Sequence, residues 1–332
     1  MATNGRTDLP GGTIHGAGHR HKWRDTAYVS AITIATMVLM ALVLAIGTAL
    51  LWQSLPAIRA LRLGFLASHE WDDATGRYGS AAFLSGTLYS SLLAILVSVP
   101  ISICSAIFLA EIAPKWIRLP VTFIIELLAA IPSVVYGLWG IFVLIPVLRD
   151  KVMTPALGSP VIPKLPIIKS ILTGAGYGPS MLAAGLLLAI MITPFITAIC
   201  RDILNAIPSM QRDAAAGMGC TESETILKVV LPSAAPGLIG AVMLGFGRAF
   251  GETMAVTMVI GNMTPNTPDG KSLGLFDPGY TVASAMANKF TEATPGIATA
   301  ALIELGLVLF VTSMLINFAA RSLVKVAMRR LS

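Results

Sequence analysis

Charged residues are scarce in this sequence of 332 amino acids. Lys, Arg, Asp and Glu make up 12% of the chain, whereas about a quarter is usual in a soluble globular protein. Hydrophobic residues make up 55%, and the mean hydropathy is +0.78. This composition excludes an ordinary soluble domain and indicates a protein that lies in a lipid bilayer. The net charge of +6 therefore does not indicate a nucleic-acid partner, and we expect none.

Cysteine and histidine are also rare. The three cysteines, Cys104, Cys200 and Cys220, form no evident framework, which indicates neither disulfide bonds nor a thiolate metal site. The long apolar runs contain no histidine, and their only carboxylates lie on three different runs. Because no acid–base pair or ligand set arises at helical spacing, we expect neither a metal site nor an enzyme active site in these runs. Before them lie His15, His19 and His21, where metal binding is the alternative to a disordered tail.

Six apolar runs are long enough to cross a membrane, since a hydrocarbon core of about 30 Å needs about 20 helical residues. The sequence therefore predicts an all-α integral membrane protein with six transmembrane helices. The predicted spans are Ala27–Trp52, Thr87–Ala110, Leu119–Leu148, Pro179–Cys200, Pro236–Ile260 and Gly296–Ala320.

Basic residues gather at both ends of the chain. They are Arg20, Lys22 and Arg24 before the first span, and Arg321, Lys325, Arg329 and Arg330 after the last. Such clusters favour anionic lipid headgroups and the inner side of the membrane, so both termini are predicted to be cytoplasmic. The predicted organisation is a disordered cytoplasmic tail (1–26), a first transmembrane helix with a periplasmic loop (27–80), a transmembrane core (81–320) containing a cytoplasmic loop (201–235), and a basic C-terminus (321–332).

The polar loop between the fourth and fifth predicted spans carries the most informative motif. It reads Asp213-Ala214-Ala215, three residues, Gly219, nine residues, Val229, one residue and Leu231-Pro232. This pattern predicts a short helix, a sharp turn at the glycine and a second helix lying across the membrane surface. Such a loop presents a helix to a partner in the water phase. It resembles the coupling loop of the membrane subunits of bacterial ABC importers, Glu-Ala-Ala-x3-Gly-x9-Ile-x-Leu-Pro, with Asp and Val at the Glu and Ile positions.

Two charges interrupt the fifth predicted span. Arg248 and Glu252 are four residues apart, so they are expected on one helix face, and Arg248 would lie about 18 Å from Pro236, near the bilayer midplane. A charge there costs about 2.5–3.5 kcal/mol, which indicates a translocation pathway. The alternative is a self-neutralising ion pair that only fixes helix packing. A guanidinium suits a tetrahedral oxyanion, because it donates two parallel hydrogen bonds.

The other carboxylates in the predicted spans are Glu126 and Glu304. Each is a candidate buried partner for Arg248 or for an arginine of another subunit, or is protonated. Gly247 and Gly251 have the spacing of small residues that allows close helix approach.

Two longer stretches resemble the phosphate-importer permeases. They are Gly-Arg-Ala-Phe-Gly-Glu-Thr-Met-Ala-Val at 247–256 and Glu-Leu-Leu-Ala-Ala-Ile-Pro-Ser-Val-Val-Tyr-Gly-Leu-Trp-Gly at 126–140. The resemblance extends from about Trp71 to the C-terminus and implies the type I ABC importer permease fold. It also implies a complex with a second permease subunit, two ATPase subunits and a periplasmic phosphate-binding protein. It places Arg248 and Glu252 on the family's intramembrane charged pair.

The resemblance implies a subunit that binds no cofactor and catalyses no reaction, with ATP and Mg²⁺ used by the partner ATPase. The only Gly-Lys-Ser in the chain, at 270–272, has Pro265 where a phosphate-binding loop needs its first glycine. The choice of phosphate over sulfate or molybdate rests on the resemblance alone. A secondary anion transporter is a further alternative, but it would need no coupling loop and often shows a repeat in its halves, which this sequence lacks.

Cysteine labelling tests the predicted topology. In a background lacking Cys104, Cys200 and Cys220, a cysteine at Ser272 should react with a membrane-impermeant thiol reagent added to intact spheroplasts. A cysteine at Ser223 should react only after lysis. The reverse pattern would invert the topology and separate the loop from any cytoplasmic ATPase.

Overall fold

The structure, a computed structural model, describes residues 22–62, 64–73, 75–158, 176–263 and 274–331. The predicted tail up to residue 21 lies outside the described residues. The chain divides into two units, Met1–Ala49 and Leu50–Ser332. In the first unit the described residues form one helix, which begins at Lys22 and continues to Leu61.

The described residues contain six helices that are long and apolar enough to cross a membrane, which confirms the predicted number. They are Thr26–Leu61, Ala81–Ile112, Ser133–Leu157, Met181–Asn205, Glu222–Phe250 and Ile297–Ser322, and they are called the first to sixth spans below. Helices satisfy every backbone hydrogen bond within one segment, as a bilayer requires. The helix of the sixth span continues to Leu331.

The remaining elements are short. Antiparallel strands at Trp71–Asp72 and Arg77–Tyr78 form a hairpin. In the described ranges, the helices outside the spans are Gly64–Ala67, Lys115–Ala130, Ser209–Gly217, Met254–Val259 and Val282–Lys289. The second, third and fifth spans are built from the α-helical segments Ala81–Ile107, Ser133–Trp139, Ile145–Leu148, Thr154–Leu157, Glu222–Thr225 and Leu231–Phe250. Their π-helical segments are Phe108–Ile112, Gly140–Leu144, Arg149–Met153 and Ile226–Val230.

Prolines account for three of these π-helical segments. Pro146, Pro155 and Pro232 each lie two residues after the end of one. Proline has no N–H for the carbonyl four residues before it, and its ring crowds that carbonyl. Just ahead of each proline the helix changes to π-helical hydrogen bonding, between residues five apart, instead of breaking.

The prediction of one span over Leu119–Leu148 is wrong, because a helix boundary divides it. The helix Lys115–Ala130, called the linking helix below, ends before Ile131, whose ψ is 131°. Ile131 precedes Pro132, and the residue before a proline is disfavoured in the α region. A new helix begins at Ser133 and forms the third span.

The fifth predicted span is also corrected at both ends. Its helix ends at Phe250, and a separate short helix, Met254–Val259, follows after Gly251, Glu252 and Thr253. At the other end the span begins at Glu222, well before the predicted Pro236. The second helix of the polar loop is therefore the first turns of the fifth span, and not a separate helix on the membrane surface.

The second and fourth spans pack closely along their length through small residues. Ala94, Ala184 and Ala189 are buried in the main hydrophobic cluster. A Cβ atom at Gly185 would collide with the side chain of Leu93. Ser102 Oγ donates a hydrogen bond to the Thr193 carbonyl at 3.1 Å, which joins the two helices near their middles. Small residues allow this close approach where lipid supplies no hydrophobic driving force.

A second hydrophobic cluster contains four aromatic rings from the hairpin, the second span and the segment before Val282–Lys289. Trp71 makes edge contacts with Tyr78 at 5.0 Å and with Phe83 at 5.3 Å, and Phe83 contacts Tyr280 at 5.4 Å between ring centroids. Edge-to-face geometry is favoured by the ring quadrupoles. These contacts fix the hairpin against the start of the second span.

Candidate functional site

The polar loop forms the predicted helix and turn. The helix Ser209–Gly217, called the loop helix below, ends in a left-handed turn at Gly219, whose φ is +84°. The Cys220 N–H donates to the Ala215 carbonyl at 3.1 Å, and the Gly219 N–H donates to the Ala216 carbonyl at 2.9 Å. These two bonds form a Schellman cap, which favours glycine at the left-handed position.

A capping box begins the next helix. The Glu224 N–H donates to Thr221 Oγ1 at 3.3 Å, and the Thr221 N–H donates to the Glu224 carboxylate at 3.1 Å. Both ends of the four-residue turn are therefore held by local hydrogen bonds, and the loop has a defined shape without a partner.

The loop helix exposes one face and buries the other. Asp213 and Ala214 are exposed, and Ala215 is buried against this chain itself. Bulk at Ala215 would therefore disturb the packing of the loop on its own chain. Met210 and Met218 are 75% and 77% exposed and, with Ala214, form a face of residues four apart, called the methionine face below. Further along the motif, Leu231 and Pro232 are half-buried.

Arg212 and Glu111 are functional candidates that the sequence reasoning missed. Arg212 Nη2 and Nε donate to the two carboxylate oxygens of Glu111 at 2.7 and 3.1 Å. This hydrogen bond raises the pKa of Arg212 above its usual value. Arg212 also donates to the carbonyls of Ile207 at 2.7 Å and Leu204 at 2.9 Å. The loop helix is thereby tied to the ends of the second and fourth spans.

Arg248 lies in the last turn of the fifth span without an ionic partner among the described residues. Its guanidinium carbon is 5.3 Å from the centre of the Phe195 ring, a cation–π contact. Its Nε is buried and has no hydrogen-bond acceptor in the described part of the chain. Phe195 lies two residues past the middle of the 25-residue fourth span.

The predicted placement of Arg248 and Glu252 on one helix face is wrong. The helix ends between them, and the Glu252 carboxylate accepts the Ala255 N–H at 3.3 Å, at the start of the short helix Met254–Val259. Within the described part of the chain, Gly247 and Gly251 do not mediate close helix packing. A Cβ at Gly247 would meet no described atom within 4 Å, and one at Gly251 would meet only the Gly247 carbonyl oxygen. The close approach is at Gly245, where a Cβ would collide with Ile196.

Neither predicted charge partner reaches Arg248. Glu126 lies on the linking helix, outside the spans, and accepts a hydrogen bond from Arg201 Nη2 at 3.1 Å. Glu304 is buried in the sixth span, and its Oε2 has no hydrogen-bond partner within the described ranges. The break at Pro132 takes Glu126 out of the third span. Of the alternatives considered for Glu126, the pairing with Arg248 is not formed, and Glu126 pairs with Arg201 near the end of the fourth span instead.

A groove of about 380 Å³ lies between the linking helix and the second and fourth spans. Its lining is almost entirely apolar, and neither Arg248 nor Glu252 contributes to it. An apolar lining does not suit an anion, so we assign the candidate anion site to Arg248 and not to this groove.

Comparison with known proteins identifies the class of transporter. The family described as binding-protein-dependent transport system inner membrane component matches residues 98–332. The phosphate transport system permease protein PstC of Pasteurella multocida is 41% identical over 85% of this chain and 86% of that protein. PstC of Xylella fastidiosa strain 9a5c is 38% identical over 98% of this chain and 96% of that protein. The chain therefore belongs to the binding-protein-dependent inner membrane transport components, and within them to the PstC permease family.

Solved structures confirm the ABC importer permease fold. A bacterial alginate ABC transporter in complex with an alginate-bound periplasmic protein matches with a TM-score of 0.55, at 14% identity, over 90% of this chain and 96% of that chain. An inward-facing MetNI methionine ABC transporter matches with a TM-score of 0.50, at 19% identity, over 73% of this chain and 91% of that chain. At these identities the likeness shows the fold alone.

The turn at Gly219 generates a testable prediction about coupling. Gly219→Val should lower substrate uptake per ATP hydrolysed in the assembled complex, because a β-branched residue resists a φ of +84°. Asparagine tolerates this conformation, so Gly219→Asn is the matched control and should stay close to wild type. No neighbouring atom lies within 4 Å of a Cβ there, so any difference between the two reports backbone strain and not a clash. Normal uptake by Gly219→Val at normal expression would contradict this account of the turn.

Proposed function

We propose that this chain is a permease subunit of an ATP-driven phosphate importer. It forms half of the translocation pathway and couples that pathway to a cytoplasmic ATPase subunit, which hydrolyses ATP with Mg²⁺. The chain itself is not catalytic and binds no cofactor. The proposal is supported by membership of the PstC family and by the geometry around Arg248.

The guanidinium of Arg248, which has no ionic partner among the described residues, is the observation that carries the proposal. An arginine in a membrane span is costly unless it faces protein, water or a ligand. Phe195 stabilises its charge from one side, and the buried Nε leaves a donor free among the described residues. A planar cation with free donors and no carboxylate partner attracts an oxyanion. Glu252, held by the Ala255 N–H, lies beyond the helix end and forms no ion pair with Arg248.

Phosphate is favoured over sulfate and molybdate by the relatives, whose names state phosphate transport. The geometry of a single arginine does not separate these tetrahedral anions, since all three present oxygen pairs to a guanidinium. An importer of another oxyanion is therefore the alternative function. A secondary anion transporter is disfavoured by the defined turn and the methionine face of the polar loop.

The proposed partners follow from the loop and the family. The methionine face is apolar and exposed. Methionine side chains adapt to irregular apolar surfaces, which suits docking into a groove of a PstB-like ATPase dimer. A PstA-like second permease completes the pathway, and a PstS-like periplasmic binding protein delivers phosphate. With the loop in the cytoplasm, an even number of spans places both termini on the cytoplasmic side of the inner membrane.

Substitutions at Arg248 test the pathway role. Arg248→Gln should lower phosphate uptake roughly ten- to hundredfold with the complex assembled, because hydrogen bonds to a charged group are lost. Arg248→Lys should keep part of the activity, since a point charge replaces the guanidinium fork. Glu252→Gln is the matched control and should be milder, because an amide oxygen can still accept the Ala255 N–H.

The double variant Arg248→Gln with Glu252→Gln separates the pathway role from helix packing. The two charges make no ion pair in the described structure, so neutralising both should not restore uptake. Uptake and co-purification of the ATPase subunit are measured together. Recovered uptake in the double variant would show that the charges only balance each other and would contradict the proposal.

A further inference from the structure

Arg212 is mostly buried and makes several hydrogen bonds to other parts of the chain, unlike an ordinary surface arginine. It lies one residue before Asp213, the first residue of the loop motif, and its side chain is 26% exposed. Its guanidinium makes four hydrogen bonds, two to Glu111 and one each to the carbonyls of Leu204 and Ile207. The two carbonyls belong to the end of the fourth span and the segment after it. The bidentate pair with Glu111 reaches the second span, 101 residues away in sequence.

The pair is too buried to be an ordinary surface salt bridge. Glu111 is 11% exposed, and breaking a pair at such a position leaves a carboxylate without compensation. A bidentate arginine–carboxylate contact also fixes orientation, because both groups are planar. The contact with Glu111, together with the two carbonyl bonds, therefore holds the loop helix at a set angle to both spans. We call this set of contacts the Glu111–Arg212 clamp.

The clamp continues into the contact between the second and fourth spans. Glu111 lies in the π-helical segment that ends the second span, and π-helical segments are frequent at functional sites. Earlier in the same span, Ser102 donates a hydrogen bond to the Thr193 carbonyl. Two residues beyond Thr193, the Phe195 ring contacts Arg248. Packed helices and the hydrogen bond between Ser102 and Thr193 therefore connect the loop helix to the candidate anion site.

We propose that the Glu111–Arg212 clamp is a positioning pair that makes the loop helix move as one body with the inner ends of the second and fourth spans. This inference rests on the proposed function, because it assigns the route by which the ATPase acts on the pathway. Without the clamp the loop helix still has its Schellman cap and its capping box, so it keeps its shape. It loses its fixed angle to the spans. ATP hydrolysis then continues while less of it drives transport.

The test measures phosphate uptake and ATP hydrolysis together in proteoliposomes that contain this chain with its co-purified ATPase, second permease and binding protein. Arg212→Gln should lower the ratio of uptake to hydrolysis by at least about fivefold, the lower end of usual couplings between sites. Arg212→Lys should recover part of the ratio, because it keeps the charge and loses the paired geometry. Glu111→Gln combined with Arg212→Gln should be no worse than Arg212→Gln alone, since residues that act through one contact are not additive.

Arg118→Gln is the matched control. Arg118 donates to the Ala110 carbonyl at 2.9 Å, beside Glu111, and its hydrogen bond does not involve the loop helix. In Arg118→Gln the ratio of phosphate uptake to ATP hydrolysis should stay at the wild-type value, even if the amount of complex falls. If Arg212→Gln fails to assemble, Arg212→Lys carries the test.

The outcomes separate the inference from the function on which it rests. A wild-type complex without ATP-dependent phosphate uptake would overturn the proposed function. A coupled wild-type complex with an unchanged ratio in the Arg212 variants would overturn the clamp alone, as would an equal fall in Arg118→Gln. A ratio lowered only in the clamp variants supports the inference.

Discussion

The close contact between the second and fourth spans is the interaction on which the rest of this structure depends. Small residues along both helices bring the backbones together, and the hydrogen bond from Ser102 to the Thr193 carbonyl joins them within the membrane. At one end this contact places Glu111 beside Arg212. Near its middle it places Phe195 beneath Arg248. A larger residue at Gly185 would separate the helices and disturb both sites.

The end of the fifth helix at Phe250 determines the chemistry of the candidate site. A helix continued through Glu252 would place a carboxylate one turn from Arg248 and neutralise it. The break instead uses Glu252 to accept the Ala255 N–H and leaves the guanidinium against an aromatic ring. In the proposed function, an arginine held in this way attracts an anion without binding it as tightly as several cations would. This balance suits a pathway, where binding must be weak enough to allow release.

Hydropathy predicted the six spans, because a bilayer imposes one length and one composition on every crossing helix. It missed the breaks at Ala130 and Phe250, since the apolar runs continue through both and hydropathy carries no information on backbone direction. The signal for the first break was present, because Ile131 precedes a proline. The turn at Gly219 was predicted from local spacing alone. The Glu111–Arg212 contact joins residues 101 positions apart, so no local pattern could have indicated it.

Transport by the reconstituted complex tests the central claim most directly. Proteoliposomes are prepared with ATP on the side of the ATPase subunits, and uptake of labelled phosphate is compared with uptake of sulfate and molybdate. The account predicts phosphate uptake that requires ATP and the binding protein, with little uptake of the other two anions. Phosphate uptake that proceeds equally without ATP, or a preference for sulfate or molybdate, would contradict it.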